Sequence, residues 1–396
     1  MKHLCLVIAI LITALMSCDK RRLSPSQPIH DEINSVYYWK TAFNLDSVDK
    51  VFISRHNVRR IYLRMFDVTA DNYGSTLNEK AIPNASVRID YSNYHYLTDS
   101  LKDPEFIPVV YITLDALETM MDHEGMLASN IVSRVKNMCS YNGMTNVSEL
   151  QLDCDWTYST DESFFSLCDS VRLCLAEHNL PWRLSSTIRL HQLSGEAPPV
   201  DNGVLMVYNT GSFNNPDARN SIIDVADVKP YLKHLSSYPL HLDIAYPTYS
   251  WQLLFRHRQF IGLTNGLNLD DTTQFSAVGT NLYSARRDIV RNGKVIRQGD
   301  IVRSETSDYN DIIKVKNLIE RCLAGRPHSN ILYHLDSKNL SNYTPDEIDN
   351  LFATGLYCYI ISLRRNNSPC LRLIQSHYTD SLVFRTRPVR LQHIRL

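Results

Sequence analysis

Eight short apolar runs constrain this chain more than any other feature. They fall at 36–39, 60–67, 106–113, 149–155, 183–190, 204–209, 241–246 and 331–335, and each ends in polar residues. Between several of them lie stretches with apolar spacing of three and four. Ile131, Val132, Val135 and Met138 mark one, over 129–140; Phe164, Phe165, Leu167, Val171 and Leu175 mark another, over 161–178. A third, over 308–324, carries Ile312, Ile313, Val315, Leu318, Ile319 and Leu323, and 44–56 reads similarly. Buried strands alternating with helices build βαβ units and a parallel sheet. Eight such runs predict an α/β fold, a (β/α)8 barrel of the TIM type. A doubly wound sheet is the weaker alternative, because no Gly-x-Gly-x-x-Gly turn follows any strand.

Two segments break the alternation. Helical periodicity is lost over 248–303, where 259–263 and 294–302 read as extra strands or hairpin elements, the latter after an Asn292-Gly293 turn. This is a long insertion between the seventh and eighth strands, on the side where barrel loops build a site, and it is expected to roof a pocket. The barrel with its insertion is expected over 35–340, and a C-terminal helix with a small β addition over 341–396. Thr344-Pro345-Asp346-Glu347 signals that helix: a capping threonine, proline at the first position, and a glutamate completing a capping box.

The N-terminus carries a different signal. Met1-Lys2-His3 precedes an apolar run over 4–16, broken by Thr13. Roughly 20 apolar residues are needed to span a bilayer, so the run has the length of a signal-peptide core instead. It ends in Leu15-Met16-Ser17-Cys18, which resembles the lipobox of bacterial lipoproteins. The resemblance implies cleavage after residue 17, lipid on Cys18 and a place in the cell envelope, with the outer membrane as the expected membrane. Several long acyl chains at about 0.8 kcal/mol per buried methylene would hold such a protein stably. Residues 18–34, polar and proline-containing, read as a tether.

Charge and cysteine usage exclude other classes. Forty-one basic residues face 42 acidic ones, so nucleic acid is not expected as a partner, since its phosphates call for clustered Lys and Arg. Seven cysteines remain after Cys5 and Cys18, at 139, 154, 168, 174, 322, 358 and 370. An odd number without paired spacing is no disulfide framework, and most are expected to be small buried apolar residues. With no CxxC pair and no HExxH, neither a metal site nor a cofactor is expected, and the oligomeric state is left open.

In a barrel of this type the chemistry lies where strands end. Those positions hold Trp39, Arg64, Asp67, Thr113, Asp115, Asp153, Asp155, Trp156, Arg189, His191, Tyr208, Asn209, Tyr246, Tyr249, His334 and Asp336. The fourth strand is the most informative. Gln151, Asp153 and Asp155 alternate with Leu150, Leu152 and Cys154, so the carboxylates share the face turned to the barrel interior. Two carboxylates that close repel when ionised, which can tune one for acid–base work; a structural network with Arg64 or Arg189 would equally hold them. Asp67, Asp243 and Glu196 are candidate partners from elsewhere. His191 and His334 are candidate acid–base groups, or hydrogen-bonded structural residues. The aromatic groups Trp39, Trp156, Tyr208, Tyr246, Tyr249 and Trp251 either stack on sugar rings or fill a wide mouth.

Asp153-Cys154-Asp155-Trp156 is similar to the Asp-x-Asp-Trp-Glu end of the chitinase-type glycoside hydrolase signature. Residues 203–209 resemble the Met-x-Tyr-Asp segment of that family's sixth strand, and Ala245-Tyr246-Pro247-Thr248-Tyr249 its proline–aromatic turn. Thr157 and Asn209 depart from it, standing where the family has its acid glutamate and an aspartate. A further resemblance, carried by 36–39, 60–68 and 150–157, is to an uncharacterised family of exported Bacteroidetes-type lipoproteins (domain of unknown function 3142). It implies a barrel and brings no established activity.

Three functions follow as expectations. The first is a cell-envelope glycoside hydrolase acting through Asp153 or Asp155 with a partner carboxyl. The second is a glycan-binding lipoprotein with a decayed site, motivated by Thr157 and Asn209. The third is an envelope assembly partner, marked by a large apolar patch. Carbohydrate is the expected ligand in the first two. Whatever the activity, Cys18→Ala is expected to abolish incorporation of a labelled lipid precursor and release the chain from membranes. Undiminished membrane partitioning of that variant would place the anchor elsewhere.

Overall fold

The computed structural model describes residues 33–355 apart from 72, 75, 91, 93–103 and 292. The expected signal peptide, most of the tether and the expected C-terminal β addition lie outside these residues. Eight strands form the barrel: β1 (Ser35–Tyr38), β2 (Arg60–Ala70), β3 (Glu105–Ile112), β4 (Glu149–Cys154), β5 (Arg183–Arg189), β6 (Asn202–Met206), β7 (Leu242–Pro247) and β8 (Asn330–Tyr333). Each pairs in parallel with the next, and β1 pairs with both β8 and β2, which closes the sheet. The chain is thus a (β/α)8 barrel, and every apolar run read from the sequence supplies one strand.

Helices α1 (Ser47–Arg55), α2 (Glu124–Tyr141), α3 (Asp161–Glu177), α4 (Tyr309–Leu323) and α5 (Pro345–Phe352) account for the helix-like stretches. Their starts are set by side chains that satisfy otherwise unpaired backbone N–H groups. Asp46 caps α1 and Asp308 caps α4. Thr344 accepts from the Glu347 amide while Glu347 returns to the Thr344 backbone, the capping box that the sequence predicts for α5. After β5 and β6 the chain takes 3-10 turns and one four-residue helix (Leu190–Ser194, Val225–Val228, Lys229–Ser237).

Alternation along the strands divides the apolar residues into two cores. Leu150, Leu152 and Cys154 face outward and pack with Phe164, Leu167 and Val171 of α3. Inside the barrel lies a separate cluster of Tyr37, Tyr62, Ile107, Val109, Val204, Met206, Ala245 and Ile331. Cys139, Cys154, Cys168 and Cys174 are buried free thiols, and burial raises the pKa of each above its ordinary value, so they stay protonated.

The connection from β7 to α4 is a five-stranded antiparallel sheet. Its order is Gln259–Thr264, Ser250–Arg256, Ile301–Thr306, Leu282–Ala285, Phe275–Gly279. The segment over 294–302, expected as a strand or hairpin element, contributes to two elements. Lys294–Ile296 forms a ribbon with Ile289–Arg291, and the chain then turns at Gly299 (φ +85°) into Ile301–Thr306. A buried ion pair fastens this sheet to the loop after β6. Arg303 Nε donates to Glu305 Oε1 at 2.7 Å, Arg303 Nη1 to the Asn215 carbonyl at 2.6 Å, and Ser221 and Trp251 both donate to Glu305.

A second buried charge group ties α4 to the barrel floor. Fully buried Lys316 donates to Glu320 Oε1 at 2.8 Å and to the Ala353 carbonyl at 2.5 Å, and His328 Nε2 lies 3.2 Å from the same carboxylate. Burial alone would raise the Glu320 carboxyl; the His328 hydrogen bond and the Lys316 charge outweigh it and hold the group at about 2. A depressed carboxyl contributes stability that is present above its unfolded value of about 4.3 and lost as pH falls toward 2. Acid unfolding is therefore expected to steepen below about pH 4.5, and Glu320→Gln to flatten that limb. Urea unfolding measured across pH 2–6 checks this; identical acid limbs in both proteins would remove Glu320 from the account.

Candidate functional site

The fourth strand and its neighbours build a polar ladder up the barrel interior. Tyr37 donates to Gln151 Oε1 at 2.6 Å, and Gln151 Nε2 to Ser185 Oγ at 3.2 Å. One step higher, Thr187 Oγ1 donates to Asp153 Oδ1 at 2.6 Å, and Arg189 Nη2 donates to the same oxygen at 2.9 Å. At the rim, Arg189 Nε lies 3.5 Å from Asp155 Oδ1. The two carboxylates do share a face, as their spacing requires, and one guanidinium spans both. Burial alone would lower the Arg189 pKa, but Asp153 and Asp155 raise it above the usual value, so its charge is permanent. Asp153 is almost wholly buried, whereas the Asp155 side chain is 53% exposed.

A cavity of about 320 Å³ opens over this pair. Tyr111 of β3, Asp155, Arg189, His191, Tyr208 and Asn209 present its polar groups, with Tyr231 from the 3-10 turn above. Its size falls at the lower end for small-ligand sites. Burial raises the Tyr111 and Tyr208 hydroxyls above their ordinary value, so both stay protonated and able to donate. Beneath it the barrel is plugged by rings. Tyr208 stacks on Tyr333 with centroids 4.4 Å apart, and Trp39 and Tyr249 approach Tyr333 at 5.7 and 5.9 Å. Tyr249 also donates to Asn209 Oδ1 at 2.6 Å.

Other residues read from the sequence lie elsewhere. Asp67 faces inward but forms a two-point ion pair with Arg64, whose guanidinium lies 5.4 Å over Trp39. Asp336 pairs with Lys40 at 2.8 Å and caps Ser337–Leu340. Asp243 sits near the N-terminal end of β7, below the mouth, where its carboxylate accepts from the Ser329 amide at 2.6 Å and lies 3.5 Å from His241. Trp156 and Tyr246 fall on the outward phase of their strands; Trp156 packs against Phe164 and Phe165, and Tyr246 is fully buried in the outer core. His334 is half-buried, and desolvation holds its imidazole below its ordinary value, hence neutral. Glu196 is exposed.

Thr157 stands where the chitinase-type signature has its acid. It is exposed in the turn into α3, its hydroxyl 2.9 Å from Ser159 Oγ and its amide donating to Thr160 Oγ1 at 3.0 Å. The inserted sheet, expected to roof the pocket, does not line it; its ion pair draws it onto the loop over 213–221. Sequence reasoning missed Tyr111 and Tyr231. Tyr111 was accessible, since Ile107, Val109 and Tyr111 share the inward phase of β3. Tyr231 carries no such signal, because a 3-10 turn brings it over the mouth from 25 residues beyond the β6 end at Met206.

Compared with solved structures, the chain matches a chitinase from Chromobacterium violaceum at a TM-score of 0.50 and 11% identity, over 83% of this chain and 99% of that one. A human pseudo-chitinase with retained chitooligosaccharide binding aligns at a TM-score of 0.48 and 10% identity, over 81% of this chain and 98% of that one. The second catalytic domain of the Group II chitinase from Ostrinia furnacalis aligns at 0.47 and 10%, over 81% and 95%. No family model matches the chain, and no curated protein matches it in sequence. The likeness to the Chromobacterium violaceum chitinase shows the fold, a (β/α)8 barrel.

Arg189→Ala would leave Asp153 buried opposite no cation. Breaking a buried pair from one side costs about 3–5 kcal/mol. The variant is expected to unfold at correspondingly lower denaturant, and Arg189→Ala with Asp153→Asn to recover part of the loss. If the single variant is as stable as the parent, the pair does not hold the mouth.

Proposed function

We propose that this chain is a carbohydrate-binding barrel of the cell envelope, lipid-anchored through Cys18, in which hydrolytic machinery is no longer assembled. One observation carries the reading: among the described residues, the single carboxylate lining the mouth cavity, Asp155, is held to Arg189, and the position of the chitinase-type acid is the exposed Thr157. Two-carboxylate glycoside hydrolysis needs a proton donor and a second carboxylate flanking the scissile bond, and the substrate-assisted route of chitinase-type enzymes still needs the proton donor. Asp153 is closed off by Arg189 and Thr187, Asp67 by Arg64, Asp336 by Lys40, and Asp243 lies below the mouth.

What the cavity offers instead is recognition. Tyrosine rings present flat apolar faces, while Asp155, Arg189, Asn209 and the protonated tyrosine hydroxyls offer both donors and acceptors. That combination suits the C–H faces and hydroxyls of a sugar. The fold shared with a chitinase supports the architecture, and the choice of carbohydrate rests on this chemistry. Membership of the uncharacterised lipoprotein family rests on the residues of β1, β2 and β4 that carry the resemblance.

Calorimetric titration with a panel of soluble oligosaccharides, chitooligosaccharides included, is expected to give saturable binding with no product after prolonged incubation. Asp155→Ala removes a charged hydrogen-bonding partner, a loss of about 1.5–3 kcal/mol, and is expected to weaken binding at least about ten-fold. Tyr231→Ala, at a half-exposed position, is expected to weaken it several-fold without loss of stability. Released sugar that disappears in Asp155→Asn would restore the hydrolase reading. Absence of any binding across the panel would remove both.

A further inference from the structure

The inserted sheet carries a surface unconnected with the barrel mouth. Residues 286–297 contain Arg286, Arg287, Arg291, Lys294 and Arg297 against one acid, Asp288. All five cations are exposed. The segment is a two-stranded ribbon in which Val290 is paired directly with Val295. Ile289 and Ile296, on the other phase, pack into the apolar core of the sheet. Alternation therefore turns Val290 and Val295 to one face together, where they are 73% and 51% exposed, while Arg291 and Lys294 share the phase of Ile289 and Ile296 at the turn end of the ribbon. Lys294 Nζ donates to the Leu263 carbonyl, which sets the ribbon beside the edge strand Gln259–Thr264. That strand leaves Ile261 and Leu263 exposed at 48% and 41%.

We propose that this ribbon is a docking surface for a bilayer rich in anionic phospholipid. Charge complementarity selects a polyanionic partner, because five cations in twelve residues attract phosphate-bearing headgroups that lie within a Debye length. The paired valines select a bilayer over a soluble polyanion. A polyanion would contact only the charges, whereas the acyl boundary beneath the headgroups accepts apolar side chains. The anchor expected at Cys18 and this ribbon are separate contacts, so the ribbon would orient the barrel at a surface to which lipid merely confines it.

The test uses the full chain with Cys18→Ala, so that acyl groups do not report. Flotation is measured on phosphatidylcholine vesicles with and without phosphatidylglycerol at about one lipid in three. Binding is expected at least about ten-fold tighter to the anionic vesicles and lost at about 0.5 M salt. At about five-fold per charge, Arg287→Glu with Arg291→Glu is expected to weaken it at least about 25-fold. Val290→Ser with Val295→Ser is expected to weaken it about ten-fold with the salt dependence kept. Equal binding to both vesicles, or no effect of charge reversal, overturns the proposal. So does an effect of charge reversal without any effect of the valine substitutions, which would assign the ribbon to a soluble polyanion. None of these residues touches the mouth cavity, so the outcome is separate from the sugar titration.

Discussion

Every strand in a closed barrel must bury both faces, and it does so in two different environments. The outward face meets helices and is satisfied by apolar side chains at any height. The inward face meets seven other strands, and its polar groups must find partners there, because water reaches only the ends. The rest of this structure follows from that division. On β4 it places Leu150, Leu152 and Cys154 against α3, and stacks Gln151, Asp153 and Asp155 up the interior. The carboxylates then need cations and donors, and Arg189 and Thr187 of the adjacent strand supply them.

The same requirement shapes the mouth. A wide barrel end that kept several free carboxylates would suffer mutual repulsion unless one stayed protonated. Here the acids of the mouth are held by cations: Asp153 and Asp155 share Arg189, Asp67 has Arg64, and Asp336 has Lys40. Neutralised in this way, the acids become scaffold and hydrogen-bonding surface. The rings of Trp39, Tyr208, Tyr249 and Tyr333 fill the space below, leaving a shallow cavity of small-ligand size. A site of this kind favours recognition over proton transfer.

The inserted sheet shows how a second surface can be grafted without disturbing the first. Its buried contact with the barrel centres on Arg303 and Glu305, engaged with Trp251, Ser221 and the Asn215 carbonyl, and Phe260 against Phe213, Arg258 with Asp217 and Ser250 with Asn339 add to it. The cations of the ribbon are consequently held away from the mouth on an element with its own small core of Leu254, Phe275, Ala285, Ile296 and Val302. Sugar binding and surface docking would then be independent functions of one chain.

The sequence by itself determined the barrel, because eight apolar runs at helical separation admit few other closed sheets, and each run became a strand. It also determined the shared face of Asp153 and Asp155 and the capping box of α5, since period-two alternation and capping are local properties. The same alternation, carried one residue further, would have put Trp156 and Tyr246 on the helix side. Only the tertiary structure decided what the carboxylates could do. Arg64 precedes Asp67 by three residues, but a bulge between Arg64 and Phe66 is what turns both inward. Whether Arg189 would span two acids, whether Asp243 would reach the mouth, and whether the insertion would roof it depended on strand register and on the Arg303–Glu305 contact. Those are long-range relations between strands, and no local pattern in the chain encodes them.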